Sequence, residues 1–348
     1  MRRPTDHIIL LGSLIKDALV RLNELNLDNI LFVVDENNKL VGSLTDGDIR
    51  RGLIKGIQID SIVDCVIQTN PKFVVKGQNN LDKIIEFREQ NFKIIPVVDN
   101  NFRIINIINF RNIKSYLPID VLLMAGGRGL RLKPLTDNIP KPLLKVGEKP
   151  IIQHNIDRLA SFGIDDYWIS LNYLGELIES HLKTELNKNI NVEYVWEKEP
   201  LGTIGAASKI DNFQHEFILV MNSDLLTNVD YEKFFLDFLE KDADLAVVTI
   251  PYQVSIPYAV LETRNGTVES FKEKPTYTYY SNGGIYLMKK KVLNLIPKNT
   301  FFNTTDLMEI LIKEKCKLIS YPFSGYWLDI GKHDDFEKAQ FDIKNLLL

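Results

Sequence analysis

Val121-Leu-Leu-Met124-Ala-Gly-Gly-Arg-Gly-Leu-Arg131-Leu-Lys-Pro134 is the stretch from which the fold of this chain can be read. Its first four residues are wholly apolar, the mark of a parallel strand buried on both faces. The glycines after them let the backbone approach a ligand closely at the strand's C-terminal end, with N–H groups facing the crevice. Helix-like and strand-like segments alternate from there to about residue 250. Helix 151–162 leads to strand 167–172, helix 175–186 to strand 192–197, and helix 204–209 to strand 217–221. This order predicts a doubly wound α/β sheet. Further strands are expected at 259–262, 268–272 and 284–288, then a helix over 305–315. Segments 318–321 and 326–329 close the sheet region, and 334–347 reads as a last helix.

A dinucleotide fold calls for G-x-G-x-x-G, but after Gly127 and Gly129 the third position holds Leu132, and no Gly-Lys-Ser/Thr is present. The chain instead carries Arg128, Arg131 and Lys133, then Pro140-Lys141-Pro142. Basic residues beside exposed amides make a polyphosphate cradle. A turn with solvated basic residues is the plain alternative, and the number of cations weighs against it.

The 348 residues fit two or three domains. With 45% apolar and 25% charged residues, the chain can bury sizeable cores and is no disordered or disulfide-stapled sequence. A net charge of −4 leaves no electrostatic footprint for nucleic acid or an anionic membrane, so a phosphate site must be a local pocket. Cys65 and Cys316 are isolated and the five histidines dispersed, which fits a reducing compartment without a structural zinc site or a His-rich metal cluster. The run Ile8–Leu11 meets Lys16 and Asp17 too early for a signal peptide, and no stretch reaches the ~18 apolar residues of a membrane span. The expectation is a cytoplasmic protein.

The first 117 residues contain a repeat. Asn29-Ile-Leu-Phe-Val-Val-Asp35 is echoed by Lys93-Ile-Ile-Pro-Val-Val-Asp99, each after an amphipathic helix (15–25, 81–90) and before a polar turn and second strand. Each copy ends in a segment that can start a helix, 46–55 and 110–116. Such a unit cannot easily bury its sheet alone, so the two copies should pack together. The repeat resembles a pair of CBS domains, which implies adenine-nucleotide binding and regulation of an attached enzyme. In Gly42-Ser-Leu-Thr45-Asp-Gly-Asp48 the resemblance assigns Thr45 and Asp48 to a nucleotide's ribose; helix capping is the plain reading of the same pair. The second copy departs, with Asn109 and Asn112 at the matching positions. The pair, residues 1–117, is expected to precede a catalytic domain at 118–348.

The glycine stretch, with Arg131-Leu-Lys-Pro134, Lys141-Pro142 and Glu148-Lys149-Pro150, resembles the signature of sugar-1-phosphate nucleotidyltransferases. The resemblance implies a Rossmann-like mixed sheet of the GT-A type, with Mg²⁺ as cofactor. It also implies transfer of a nucleotidyl group from an NTP to a sugar 1-phosphate, releasing pyrophosphate. The anionic partners of that reaction need cations and positioning.

Carried over residue by residue, Met124, Ala125, Gly126, Gly127, Arg128 and Gly129 would hold the nucleotide, with Arg131 and Lys141 on its triphosphate. Asp224 (Asn-Ser-Asp224) and Asp329 (Trp-Leu-Asp329) would hold the metal; either alone would read as a turn or cap residue. Lys274 of Glu273-Lys274-Pro275 would contact the sugar's phosphate, and Glu273, Asn282, Gly283, Tyr258 and Ala259 the sugar. Ala259 departs from a frequent Gly. Pro200-Leu-Gly202-Thr203 resembles the segment of guanylyl- and mannose-type enzymes, which points to GTP, with UTP, CTP and dTTP open.

The domain order is similar to that of glucosamine-1-phosphate guanylyltransferases of bacterial legionaminic acid synthesis. Mannose-1-phosphate and heptose-1-phosphate guanylyltransferases are alternatives, and a catalytically silent nucleotide sensor is the rival from another class. A homo-oligomer, and a nucleotide or pathway product bound at the CBS pair, are expected from the resemblance.

Overall fold

The computed structural model describes residues 4–186 and 190–346. The repeat is visible as two three-stranded sheets of one design. In the first, β1 (Ile8–Leu10) pairs parallel with β2 (Ile30–Val34), which pairs antiparallel with β3 (Leu40–Thr45). Helix α1 (Ile15–Leu25) fills the crossover and α2 (Asp46–Ile54) follows β3. The second repeats this with β4 (Val74–Val75), α3 (Leu81–Glu89), β5 (Ile94–Val98) and β6 (Ile104–Asn109). Phe32 and Val34 bury against Ile94, Val98 and Ile104, so each copy covers the other's apolar face.

The second copy differs in one respect. No helix forms over 110–116; the segment is turn and extended chain. Asn109 Oδ1 accepts from the Arg111 amide at 3.0 Å, and the backbone then leaves for the next domain, where the Leu117 amide donates to the Phe162 carbonyl at 3.2 Å. Beyond one i→i−4 bond, from the Ile113 amide to the Asn109 carbonyl at 3.1 Å, no helical ladder continues, and the later amides bond to the next domain.

β7 (Ile119–Met124) is the buried strand read from the sequence. After it come the short pair β8 (Lys145–Val146) and β9 (Lys149–Pro150), then α4 (Ile151–Ala160), β10 (Asp166–Leu171), α5 (Gly175–Glu185) and β11 (Asn191–Trp196). Residues 205–209 form a 3₁₀ turn rather than the expected α-helix. The chain continues with β12 (Phe217–Asn222), β13 (Leu225–Thr227), α6 (Tyr231–Glu240), β14 (Leu245–Ser255), β15 (Val260–Arg264), β16 (Thr267–Lys272) and β17 (Thr276–Lys289). It ends with α7 (Thr304–Lys313), β18 (Leu318–Pro322), β19 (Trp327–Asp329) and α8 (His333–Asp342); the helix expected over 334–347 stops at Asp342, residues 343–346 being turn and irregular chain, and Leu347 lies outside the described residues.

Seven strands form one mixed sheet in the order β11-β10-β7-β12-β17-β14-β18. β17 runs antiparallel to both its neighbours, and every other pair is parallel. Strand alternation sends Val121 and Leu123 to one face, against α4, α5 and α6, and Leu122 to the other, against α7 and the 205–209 turn. Both faces are therefore covered, as a doubly wound sheet requires. β19 does not join this sheet: it forms a separate antiparallel ribbon with β13. Among the described residues no helix is long and apolar enough to cross a membrane.

Candidate active site

The parallel strands β7 and β12 end side by side, Asn222 opposite Met124. Apolar register fixes this placement, because a one-residue slip would turn each buried set to the wrong face. The Met124 carbonyl accepts from Ser223 Oγ at 2.7 Å, tying the two strand ends together. Asp224 comes next, and the chain turns into β13.

In the β13–β19 ribbon Leu225 stands opposite Asp329, which brings the second carboxylate beside the first. Lys141 completes the cluster. Its ammonium pairs with Asp224 Oδ2 and lies 3.9 Å from Asp329 Oδ1. Gly129 makes this possible: at φ 60° its Cα lies so near Lys141 that an added Cβ would sit 3.1 Å from the lysine's own Cβ. Arg131 reaches the same corner, since a Cβ added to Gly331 would meet its guanidinium at 3.4 Å. Burial, and next the Asp224 charge, raise the Asp329 carboxyl above its ordinary pKa.

The donor set fits a hard divalent ion. Asp224 Oδ1 and Asp329 Oδ1 are both enclosed and have no hydrogen-bond partner, an expensive condition for carboxylate oxygens unless a cation takes them. The glycine loop lies against these strand ends. Ala125 donates to the Ser170 carbonyl at 3.0 Å, whereas Gly127 has open space above it. Arg128 and Arg131 are exposed beside it.

Gly202 and Thr203 occupy a second loop, seated on the start of α7, where Thr203 Oγ1 accepts the Thr304 amide at 2.9 Å. Thr203 thus caps a helix distant in sequence. Sequence reasoning missed Glu197, a buried carboxylate that accepts the Leu201 amide at 2.7 Å and the Ser170 hydroxyl. It joins the second loop to β10, and only its position at a strand end could have signalled it.

The residues assigned to the sugar are placed differently. β14 and β17 run beyond the sheet as a two-stranded arm carrying the β15–β16 hairpin, and Tyr258, Ala259, Glu273 and Lys274 are exposed on it. Among the described residues no hydrogen bond or ion pair joins these four side chains to Lys141, Asp224 or Asp329. The arm leaves the sheet at a bulge between Val247 and Thr249, opposite Gly283 and Gly284. There a Cβ on Gly284, at φ 70°, would meet Asn222 Nδ2 at 2.8 Å. Asn282 Nδ2 donates to the Tyr286 hydroxyl at 2.7 Å, and the Gly283 carbonyl accepts Trp327 Nε1 at 2.9 Å, linking the arm's base to the ribbon that carries Asp329.

Thr45 and Asp48 form a capping box on α2. Asp48 Oδ2 accepts the Thr45 amide at 2.9 Å, and Oδ1 accepts from Arg51 at 2.6 Å and Gln68 at 2.8 Å, so both oxygens are occupied. In the second copy, Asn109 and Arg111 both donate to Asp28 of the first, at 3.1 and 2.8 Å.

Asp120, Asp166 and His215 converge at the opposite end of the strands. The oxygens of Asp166 are already taken by Lys76 at 2.9 Å, Asn191 at 2.8 Å and His215 at 3.3 Å, which makes this cluster an ion-paired joint. Lys76 and Asn106, which bonds Asp165 at 3.1 Å, come from the repeat, as does Arg88, held bidentately by Glu232 at 2.8 and 3.0 Å. The repeat is therefore docked on the sheet through named polar pairs.

A glycine loop at a central strand end, with a lysine between two carboxylates beside it, defines a nucleotide-handling α/β fold. Residues 120–345 match the family model described as Nucleotidyl transferase, and the chain belongs to that family. Residues 8–55 match the CBS domain model. Mannose-1-phosphate guanyltransferase of Schizosaccharomyces pombe is 31% identical over 224 residues, 62% of this chain and 61% of its own length. The match thus spans about three fifths of that relative. D-glycero-alpha-D-manno-heptose 1-phosphate guanylyltransferase of Aneurinibacillus thermoaerophilus is 30% identical over 232 residues, 66% of this chain and 100% of the relative. Among solved structures, HddC from Yersinia pseudotuberculosis complexed with GMP-PN is 28% identical, covers 64% of this chain and 99% of its own, and has a TM-score of 0.50.

Proposed function

We propose that the protein is a sugar-1-phosphate guanylyltransferase that joins GTP to a sugar 1-phosphate and releases pyrophosphate. The observation that carries this reading is Lys141 set between Asp224 and Asp329 beside an open glycine loop. Guanine is supported by the names of both relatives and by the nucleotide in the HddC complex. Glucosamine 1-phosphate is the proposed acceptor, on the order of a CBS pair (1–117) before a catalytic domain (118–348). A heptose or mannose 1-phosphate is the second reading, favoured by the same relatives. A cytoplasmic homo-oligomer regulated through the CBS pair completes the proposal.

In the mechanism, the loop from Met124 to Gly129 holds the nucleotide, with the amides from Gly126 onward on the triphosphate, while Arg131 and Lys141 spread its developing charge. Asp224 and Asp329 would hold Mg²⁺, which neutralises phosphate charge when bound. Lys274 positions the sugar phosphate, whose oxygen attacks the α-phosphorus in line as pyrophosphate leaves. Glu273, Asn282, Gly283, Tyr258 and Ala259 orient and enclose the sugar. No general base is needed, because a sugar phosphate is already ionised at neutral pH.

The test is pyrophosphate release with Mg²⁺, crossing GTP, UTP, CTP, dTTP and ATP with glucosamine, N-acetylglucosamine, glucose, mannose and heptose 1-phosphates. Release confined to GTP and an amino sugar is the expected result. Release with another pair would move the substrate and keep the chemistry. Silence with every pair, adenine nucleotides included, would support the sensor.

A further inference from the structure

We propose that Lys141 is the resident counter-ion of the metal pocket, and that it moves from the carboxylates to the triphosphate when a divalent ion and a nucleotide arrive together. The inference rests on the reading of Asp224 and Asp329 as metal ligands and deepens it. Lys141 is only 8% exposed, and a buried ammonium persists where anions accept it. Here Asp224 accepts its hydrogen bond, and Asp329 attracts it from 3.9 Å. Lys141 is the cation that pairs with both carboxylates, Arg131 acts on Asp329 from farther off, and Asp224 Oδ1 and Asp329 Oδ1 are enclosed without a hydrogen-bond partner.

The lysine's stem rises beside Gly129, so the glycine loop that would take the phosphates lies next to the root of the same side chain. A flexible four-carbon stem places its point charge on either side. A bare divalent ion must therefore compete with an ammonium already in place. A bare triphosphate draws the ammonium away and leaves two adjacent carboxylates uncompensated. The pair together satisfies every charge, so metal and nucleotide bind with positive coupling, and the coupling is reciprocal.

The measurement is Mn²⁺ binding to the full nucleotide-free chain by electron paramagnetic resonance, in wild type, Lys141→Met and Lys141→Gln, with near-ultraviolet circular dichroism to confirm folding. Either variant is expected to bind Mn²⁺ about tenfold more tightly than wild type, the change that relief of ~1.4 kcal/mol of competition gives. Equal or weaker binding in a folded variant overturns the exchange. On unsubstituted protein, α,β-methylene GTP should bind about tenfold more weakly in EDTA than with Mg²⁺; equal affinities would also overturn it. In EDTA, Asp224→Asn should bind this analogue more tightly than wild type does, since its lysine is already released. If Asp224→Asn instead binds Mn²⁺ as wild type does, the metal reading itself fails, a result separable from failure of the exchange.

Discussion

The amide of Ile330 donates to the carbonyl of Asp224 at 3.1 Å, so the residue after Asp329 is stitched to the first carboxylate's own backbone. The two acids are thus presented by one rigid ribbon, and neither can shift without the other. Asp224→Asn keeps this backbone bond and the side chain's shape while removing its charge. Pyrophosphate release should fall by about 100-fold or more, with the thermal midpoint little changed. Near-normal turnover would take Asp224 out of the reaction.

Lys274 is exposed on the arm at φ 43°, bonded to neither carboxylate. Lys274→Ala removes a charge without opening a cavity. It should raise KM for the sugar 1-phosphate by about tenfold, the scale of one lost charge-assisted contact, while KM for the nucleotide holds. A rise in the nucleotide's KM alone would reassign the residue.

Asp120 is fully enclosed at the start of β7, and burial pushes its carboxyl from 3.8 up to about 6, against the bond from the His215 amide. A folded state with the higher pKa holds the proton more tightly than the unfolded chain. Its contribution to stability is full at low pH, declines as pH rises from about 4 to about 6, and stays lost above. Asp120→Asn should therefore be more stable than wild type by about 2 kcal/mol at pH 8, with the gap shrinking steadily below pH 6. Urea midpoints at pH 8, 6 and 5 read it; a gap independent of pH would show that Asp120 is not the titrating group. Asp166, His215 and Lys76 surround it and are unchanged by the substitution.

Leu81 of the repeat is buried in the catalytic sheet's main core cluster, and Arg88 grips Glu232 beside it. Leu81→Ala should cost about 2–4 kcal/mol and Arg88→Ala about 1 kcal/mol, the latter discounted for a guanidinium one third exposed. Differential scanning calorimetry should show the catalytic domain's transition falling in both variants. A transition that stays put would mean that the two parts unfold independently.

Much of the architecture was legible because it rests on local pattern. The run 121–124, the amphipathic helices and the echo between 29–35 and 93–99 each carry their own period. Asp224 and Asp329 were singled out through the family resemblance of the motifs around them, since either alone reads as a turn or cap residue. Their meeting through β13 and β19 was not, because strands of three residues have no readable period. α6 escaped separate notice, since its aromatic residues obscure a helical stripe. The missing helix after Asn109 depends on bonds to Phe162, which sequence order does not reveal. Asp120, Asp166 and His215 are scattered along the chain and meet only because three strand starts lie side by side.

The segment 110–118 that runs from β6 into β7 without a helix has a mechanical meaning. A module hung on a slack tether can turn without disturbing its neighbour, but this one has almost no slack. The segment hands the chain directly to β7, third of the seven strands, whose far end carries the glycine loop. Flexible residues inserted there would give the repeat a freedom of position that the bonds of Lys114 and Leu117 to Ser161 and Phe162 now deny it.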